Sequence, residues 1–303
     1  MLLCCMKTIK DVFLNFHREL DGLYGSQETE AITLMLLSEI CDLSRAKIKA
    51  FPEDDVPAGA LEKLPLMLKE LKTGKPVQYI LGNTEFYGLP FLVNPAVLIP
   101  RPETEGLVQW VLSASNGQSA ISNQHPAILD IGTGSGCIAI SIKKNMPFAT
   151  VSAIDISPDA LRTAMQNAVI NEADVNFILA DILQIKSAIH QSKFDIIVSN
   201  PPYVTLADKR LMQSNVTDFE PHSALFVPED DPLLFYRVIA DFALQYLSDN
   251  GLLFFEINEA FGKETVALLN DSGFTDIALK QDLSGRDRMI KATKPRYTKN
   301  DVG

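Results

Sequence analysis

The sequence has little of what disulfide scaffolds, metal clusters, membrane spans or nucleic-acid grips require. Its four cysteines, Cys4, Cys5, Cys41 and Cys137, have no zinc-like spacing, and the adjacent Cys4 and Cys5 make a poor disulfide framework. No metal site is expected, and a reducing compartment, the cytoplasm, fits this usage. No apolar run approaches the ~20 residues that span a bilayer. The opening Met1 to Cys5 is too short for a signal peptide and carries no basic residue, so Met6-Lys7 is an alternative start. Positive charge is also scarce. Lys and Arg number 27 against 38 Asp and Glu, a net charge of −11. A protein that grips a phosphate backbone presents a basic face, so direct nucleic-acid binding is not expected. The remaining composition, 47% hydrophobic and 21% charged, is that of a globular protein, and 303 residues suffice for one large domain and a small one.

Helical periodicity governs residues 1–80. Ile9, Val12, Phe13, Phe16 and Leu20 form one stripe, and Ile32, Met35, Leu36 and Ile40 form a second. Breaks at Phe51-Pro52 and Gly74-Lys75-Pro76 separate shorter helices. His17 and Cys41 read as packing or surface residues. Such a bundle is expected to be a small recognition domain. Over 81–101 two extended runs meet at Gly88, which predicts a β-hairpin linker with Pro90 at an edge. Pro102, followed by Glu103 and Glu105, opens a helix, and Arg101 with Glu105 reads as a salt bridge at its end.

From Ala127 strands and helices alternate, which predicts an α/β domain over 102–294 and leaves 295–303 as a disordered tail. The organising stretch is Phe194 to Tyr203. Its apolar run Ile196 to Val198 is that of a buried parallel strand, and Pro201 and Pro202 end the ladder beside Asn200. Asn-Pro-Pro-Tyr at a strand's carboxyl end is a rigid polar ledge where open α/β sheets bind ligands. The Asn200 carbonyl and the Pro201 backbone carbonyl are two acceptors suited to a planar NH2 group, and Tyr203 can cover its flat face. Upstream, Gly132-Thr133-Gly134-Ser135-Gly136 joins a strand to a helix, where glycines permit close backbone approach and the helix start offers N–H groups. Asp155 ends the next strand at the position of a ribose-binding acid, and Asp181-Ile182 ends the third, beside an adenine's place. The Gly-x-Gly-x-Gly spacing differs from that of nicotinamide binders. The loop of 204–230 reads as a lid or docking loop, with His222 as its one candidate base. A closing antiparallel hairpin at 276–281 and 288–292 is typical of class I methyltransferases, so a mostly parallel, Rossmann-like sheet is expected.

With these motifs the chain resembles the release-factor glutamine methyltransferases. The resemblance rests on Gln78 to Gly82, Leu98 to Glu105, Asp130 to Gly136, Asn200 to Tyr203, Phe219-Glu220-Pro221, Arg237-Val238-Ile239 and Asp282 to Arg288. It spans roughly residues 75 to 292. Two departures stand out. Val227 to Pro232 occupies the place of a Gly-x-Asp-Gly turn, and Ile182 stands where some relatives carry Trp. The resemblance implies methylation of the side-chain amide of a glutamine in the Gly-Gly-Gln loop of peptide chain release factors, with S-adenosylmethionine as cofactor. It implies cofactor binding by Gly132, Thr133, Gly134, Ser135, Gly136, Asp155, Asp181, Ile182 and Asn200. Asn200, Pro201, Pro202 and Tyr203 would hold the glutamine and carry the catalysis. A monomer is expected. The rivals are an adenine-N6 DNA or guanine-N2 RNA methyltransferase, whose base amines suit the same ledge, and a binding module that keeps the fold without turnover. The acidic balance argues against the first, and the intact glycine loop with Asp155 and Asn200 against the second.

Overall fold

A computed structural model describes residues 6–116, 125–184, 193–210, 212 and 214–296. The expectations for residues 1–5 and for the tail beyond Arg296 lie outside the described residues. The chain forms two compact units, Met1–Gly82 with Gln213–Phe219, and Asn83–Met212 with Glu220–Gly303.

The first unit is helical: α1 (Ile9–Tyr24), α2 (Ser26–Cys41), α3 (Arg45–Ala50), α4 (Ala58–Leu71) and α5 (Val77–Leu81). The Thr8 side chain caps α1 in a reciprocal pair with Asp11, and Gly25 ends it at φ 72°. Ile9, Val12, Phe16 and Leu20 are buried as their spacing predicts. Burial on α2 runs wider than one stripe, because Thr33, Leu34 and Leu37 join Ile32 and Leu36 inside. The Thr33 hydroxyl is satisfied by donating to the Thr29 carbonyl at 2.7 Å.

The second unit opens with an antiparallel hairpin, β1 (Asn83–Phe86) and β2 (Leu89–Leu92). Helix α6 (Pro102–Asn116) follows, then β3 (Ala127–Ile131), α7 (Cys137–Asn145), β4 (Thr150–Asp155), α8 (Pro158–Ile170), β5 (Val175–Leu179) and β6 (Phe194–Ser199). The stretch read as a loop after Tyr203 holds three single-turn helices, α9 (Leu206–Lys209) and α11 (His222–Leu225) in this unit and α10 (Ser214–Thr217) in the first. Helix α12 (Leu234–Tyr246) runs straight into β7 (Leu247–Glu256), and α13 (Gly262–Asp271), β8 (Thr275–Gln281) and β9 (Asp287–Thr293) complete the unit.

The seven strands lie in the order β5-β4-β3-β6-β7-β9-β8, with β9 antiparallel to both its neighbours and the first five parallel. This is the class I methyltransferase-like, Rossmann-like sheet that the alternating pattern predicts. Side-chain alternation sorts the core. Ile128, Ile196, Val198 and Phe254 join Leu107, Val111 and Ile138 from α6 and α7 in one cluster. Leu129, Ile131, Ile197 and Phe255 join Tyr236, Ile239 and Leu269 from α12 and α13 in the other. A buried asparagine, Asn167 of α8, ties the hairpin to the glycine-rich turn. Its Nδ2 donates to the Leu92 and Ser135 carbonyls at 3.0 and 2.9 Å, and its Oδ1 accepts from Leu92 N at 2.6 Å. Lys294 is no part of a free tail: it is buried, and its Nζ donates to the Leu247 carbonyl at 2.7 Å.

Candidate active site

Because β5, β4, β3, β6 and β7 are parallel neighbours, their carboxyl ends form one edge. In that spatial order the edge carries Asp181, Asp155, Gly132, Asn200 and Glu256. Residues spread along the chain from Gly132 to Glu256 become adjacent through the sheet order alone.

The turn from β3 to α7 has three glycines at positive φ, 73° at Gly132, 54° at Gly134 and 82° at Gly136. They serve different ends. A Cβ on Gly136 would lie 2.9 Å from Ile140 Cδ1 and 3.1 Å from Ala164 Cβ, so this glycine lets α7 and α8 pack. A Cβ on Gly132 or Gly134 would meet nothing within 4 Å, so their backbone faces open space. Side chains lock the turn. Thr133 Oγ1 donates to Asp130 Oδ2 at 2.6 Å, and Gly134 N donates to Asp155 Oδ2 at 2.8 Å. Burial pushes the Asp130 carboxyl up to about 7, against the opposing hydrogen bond from Thr133. Burial also raises the Asp155 pKa, against hydrogen bonds from the Ser157 and Gly134 amides. Asp155 thus joins the glycine turn to the start of α8, where Ser157 Oγ caps Ala160 N. Asp181 accepts from Leu183 N at 2.9 Å and from Gln184 Nε2 at 3.0 Å, which shapes the turn carrying Ile182.

A cavity of about 310 Å³ opens over this edge, walled by Gly132, Gly134, Asp155, Asp181, Ile182 and Asn200. Thr133, Ser135 and Gly136, also expected at the cofactor, do not line it. The two side chains are buried beneath the turn, and Gly136 faces α8. A second cavity of about 520 Å³ adjoins the first, lined by Tyr203 and by charged side chains that include Arg101, Asp208, Arg286 and Arg288. Leu98, Asn200, Pro201 and Ala224 line both. Pro202 borders the first cavity and Tyr203 the second, so the Asn-Pro-Pro-Tyr ledge is the partition between them.

The ledge is fixed from behind. Asn200 Nδ2 donates to Thr104 Oγ1 at 3.3 Å, Thr104 Oγ1 donates to Glu256 Oε2 at 2.7 Å, and Tyr203 OH donates to Glu256 Oε1 at 3.0 Å. Asn258 Nδ2 donates to the Tyr203 carbonyl and to Asp208 Oδ2, each at 3.0 Å. Burial raises the Glu256 pKa, opposed by the hydrogen bonds from Thr104 and Tyr203 and by the Arg288 charge. Burial and the Glu256 charge drive the Tyr203 phenol well above its ordinary value, so it stays protonated.

Two sequence expectations are corrected. Arg101 does not pair with Glu105. Its guanidinium lies 2.6 Å from Glu220 Oε1, while Glu105 Oε1 accepts from Tyr87 N at 2.8 Å. His222 lines neither cavity: it is exposed, with its ring edge-on to Phe226 at 5.1 Å. Thr104, Glu256 and Asn258 escaped the sequence reading. Glu256 carried a signal, an acid ending the buried run Leu252 to Phe255, as Asp155 ends its own strand.

Residues 15–82 match a family model described as the PrmC N-terminal domain, and residues 118–218 match the methyltransferase small domain. A release factor glutamine methyltransferase from Flavobacterium psychrophilum is 48% identical over 283 residues, 93% of this chain and 98% of the relative. One from Bacteroides thetaiotaomicron is 38% identical over 277 residues, 91% of this chain and 97% of the relative. Among solved structures, the human methyltransferase 10 domain containing protein superposes with a TM-score of 0.51 at 16% identity, covering 70% of this chain and 90% of its own, a likeness of fold alone.

Proposed function

The chain belongs to the release factor glutamine methyltransferases, and from that premise we propose the reaction at the ledge. A methyl group passes from S-adenosylmethionine to the side-chain amide nitrogen, N5, of the glutamine in the Gly-Gly-Gln motif of a peptide chain release factor. The observation that carries this reading is the meeting of two cavities at Asn200 and Pro201. One suits a nucleoside-bearing cofactor, with open glycine backbone and strand-tip carboxylates, and the other admits a peptide side chain.

Gly132 and Gly134 give the cofactor backbone access, Asp155 offers acceptors for its ribose hydroxyls, and Asp181 with Ile182 borders its adenine. The bound cofactor supplies an electrophilic methyl on a positively charged sulfur. The protein's task is to make an amide nitrogen attack, although its lone pair is delocalised into the carbonyl. Asn200 Oδ1 and the Pro201 carbonyl accept the two N–H bonds of the glutamine amide, which draws density onto the nitrogen and aims it through the partition. Pro201 and Pro202 hold those acceptors still, since neither ring can rotate about φ. Positioning and fixed dipoles then carry the acceleration. No base is needed before transfer, because the methylated amide can release its proton afterwards. Tyr203, protonated and tied to Glu256, walls the glutamine's side. On this reading the helical unit contributes docking of the release factor, and the enzyme works as a cytoplasmic monomer.

The test is transfer of a labelled methyl from S-adenosylmethionine to a purified release factor, beside duplex DNA and RNA as competing acceptors. Label in the release factor alone is expected, and label in nucleic acid alone overturns the reading.

A further inference from the structure

The orientation of the Asn200 carboxamide decides whether it offers an acceptor or a donor to whatever enters the second cavity. A carboxamide has near-identical shape in its two flips, so packing alone does not choose between them. The choice is made behind the ledge, by groups that touch neither cavity.

Thr104 Oγ1 has one proton. Of its two neighbours, Glu256 Oε2 lies at 2.7 Å and Asn200 Nδ2 at 3.3 Å. Glu256 lies at the end of β7, buried, with its other oxygen taken by Tyr203 OH at 3.0 Å. Glu256 accepts from both hydroxyls, so the threonine proton is committed to Oε2, the shorter of its two contacts. The hydroxyl then has only lone pairs left for Asn200. Facing an acceptor, Asn200 must present its NH2 group, which turns Oδ1 away from Thr104.

We propose that Thr104 is a positioning residue, anchored by Glu256, whose hydroxyl fixes the Asn200 carboxamide with its oxygen directed to the incoming amide. This rests on the reading of Asn200 as an acceptor for the glutamine NH2 group. Without the Thr104 hydroxyl the flip is undetermined, and in the wrong one two NH2 groups oppose each other.

The decisive comparison is Thr104→Val, nearly the same shape without the hydroxyl, against Thr104→Ser, which keeps it. Both are measured for methyl transfer to a release factor, for S-adenosylmethionine affinity and for Tm. Thr104→Val should lower kcat/KM by tenfold or more, with cofactor affinity within twofold of the parent. Thr104→Ser should stay within about threefold of the parent on both counts. The Asn200 side-chain NH2 resonances supply a readout that needs no substrate: they should move in Thr104→Val and hold in Thr104→Ser. Equal kcat/KM in parent and Thr104→Val, or equal losses in Val and Ser, overturns the proposal. A parent that methylates no release factor overturns the functional reading instead, while unmoved Asn200 resonances in Thr104→Val still overturn the orientation claim.

Discussion

Arg101 and Glu220, 119 residues apart in the chain, form an ion pair with Nη2 2.6 Å from Oε1. Glu220 is 1% exposed and Arg101 35%, so the carboxylate is the buried partner. Its second oxygen accepts from Ile99 N at 3.2 Å. One carboxylate therefore pins the segment before α6 to the segment before α11, and Leu98 and Ala224 beside these pins line both cavities. Removing it with Glu220→Ala leaves a backbone donor and a guanidinium unpaired, at a cost of about 1–3 kcal/mol. Thermal unfolding should show the loss, and hydrogen exchange should quicken at residue 99. An unchanged Tm with unchanged exchange there would contradict this role.

The glycines of the β3–α7 turn should respond differently to the same added methyl. At Gly136 the methyl meets Ile140 and Ala164, and φ is 82°, so Gly136→Ala should cost about 1–3 kcal/mol of stability. At Gly134 the methyl meets nothing and φ is 54°, a strain of about 1–2 kcal/mol. Gly134→Ala should therefore fold but bind S-adenosylmethionine at least tenfold more weakly, since the methyl occupies the space left for the ligand. Calorimetry for stability and titration for affinity separate the two, and the same profile for both variants would refute the division.

Asp130 should give the protein a signature in pH. Its carboxyl lies at about 7 when folded, against 3.8 ordinarily. Between these values the folded chain holds a proton that the unfolded chain has released, so this group's contribution is complete below about pH 4 and is lost as pH rises through about 7. The displacement corresponds to stability on the order of 4 kcal/mol. Asp130→Asn keeps the shape and an acceptor for Thr133 without the titration. Relative to the parent, the variant should gain stability from pH 5 to pH 8. Parallel pH–stability curves for the two proteins would count against the assignment.

Where meaning was local, the sequence was readable. The strand tips at Asp155, Asp181 and Asn200 and the glycine turn each announce themselves within a few residues, because a short apolar run must stop and its end must be polar. The stripe of α1 is equally plain. What stayed hidden depends on pairing across distance. Arg101 could have met Glu105 a helical turn away, and only the tertiary fold shows that a buried carboxylate 119 positions on is the stronger partner. Thr104 and Glu256 are 152 residues apart, and a threonine in a first helical turn reads as ordinary capping chemistry. The anchoring of Lys294 was equally hidden, since a lysine whose ammonium finds a backbone carbonyl inside the fold looks no different in sequence from one in water. Tyr246 and Leu247 mark another limit: the helix hands over to β7 directly, and the turn-type residues Ser248, Asp249, Asn250 and Gly251 lie inside the strand.

The central claim is that Asn200 and Pro201 hold a glutamine amide where the cofactor's methyl can reach it. Its most direct test is tandem mass spectrometry of a release factor incubated with the protein and S-adenosylmethionine, beside the same reaction with Asn200→Ala. The account predicts one added methyl, on the side-chain nitrogen of the Gly-Gly-Gln glutamine, that Asn200→Ala fails to install although it still binds the cofactor. A methyl on any other residue, or full methylation by Asn200→Ala, would contradict it.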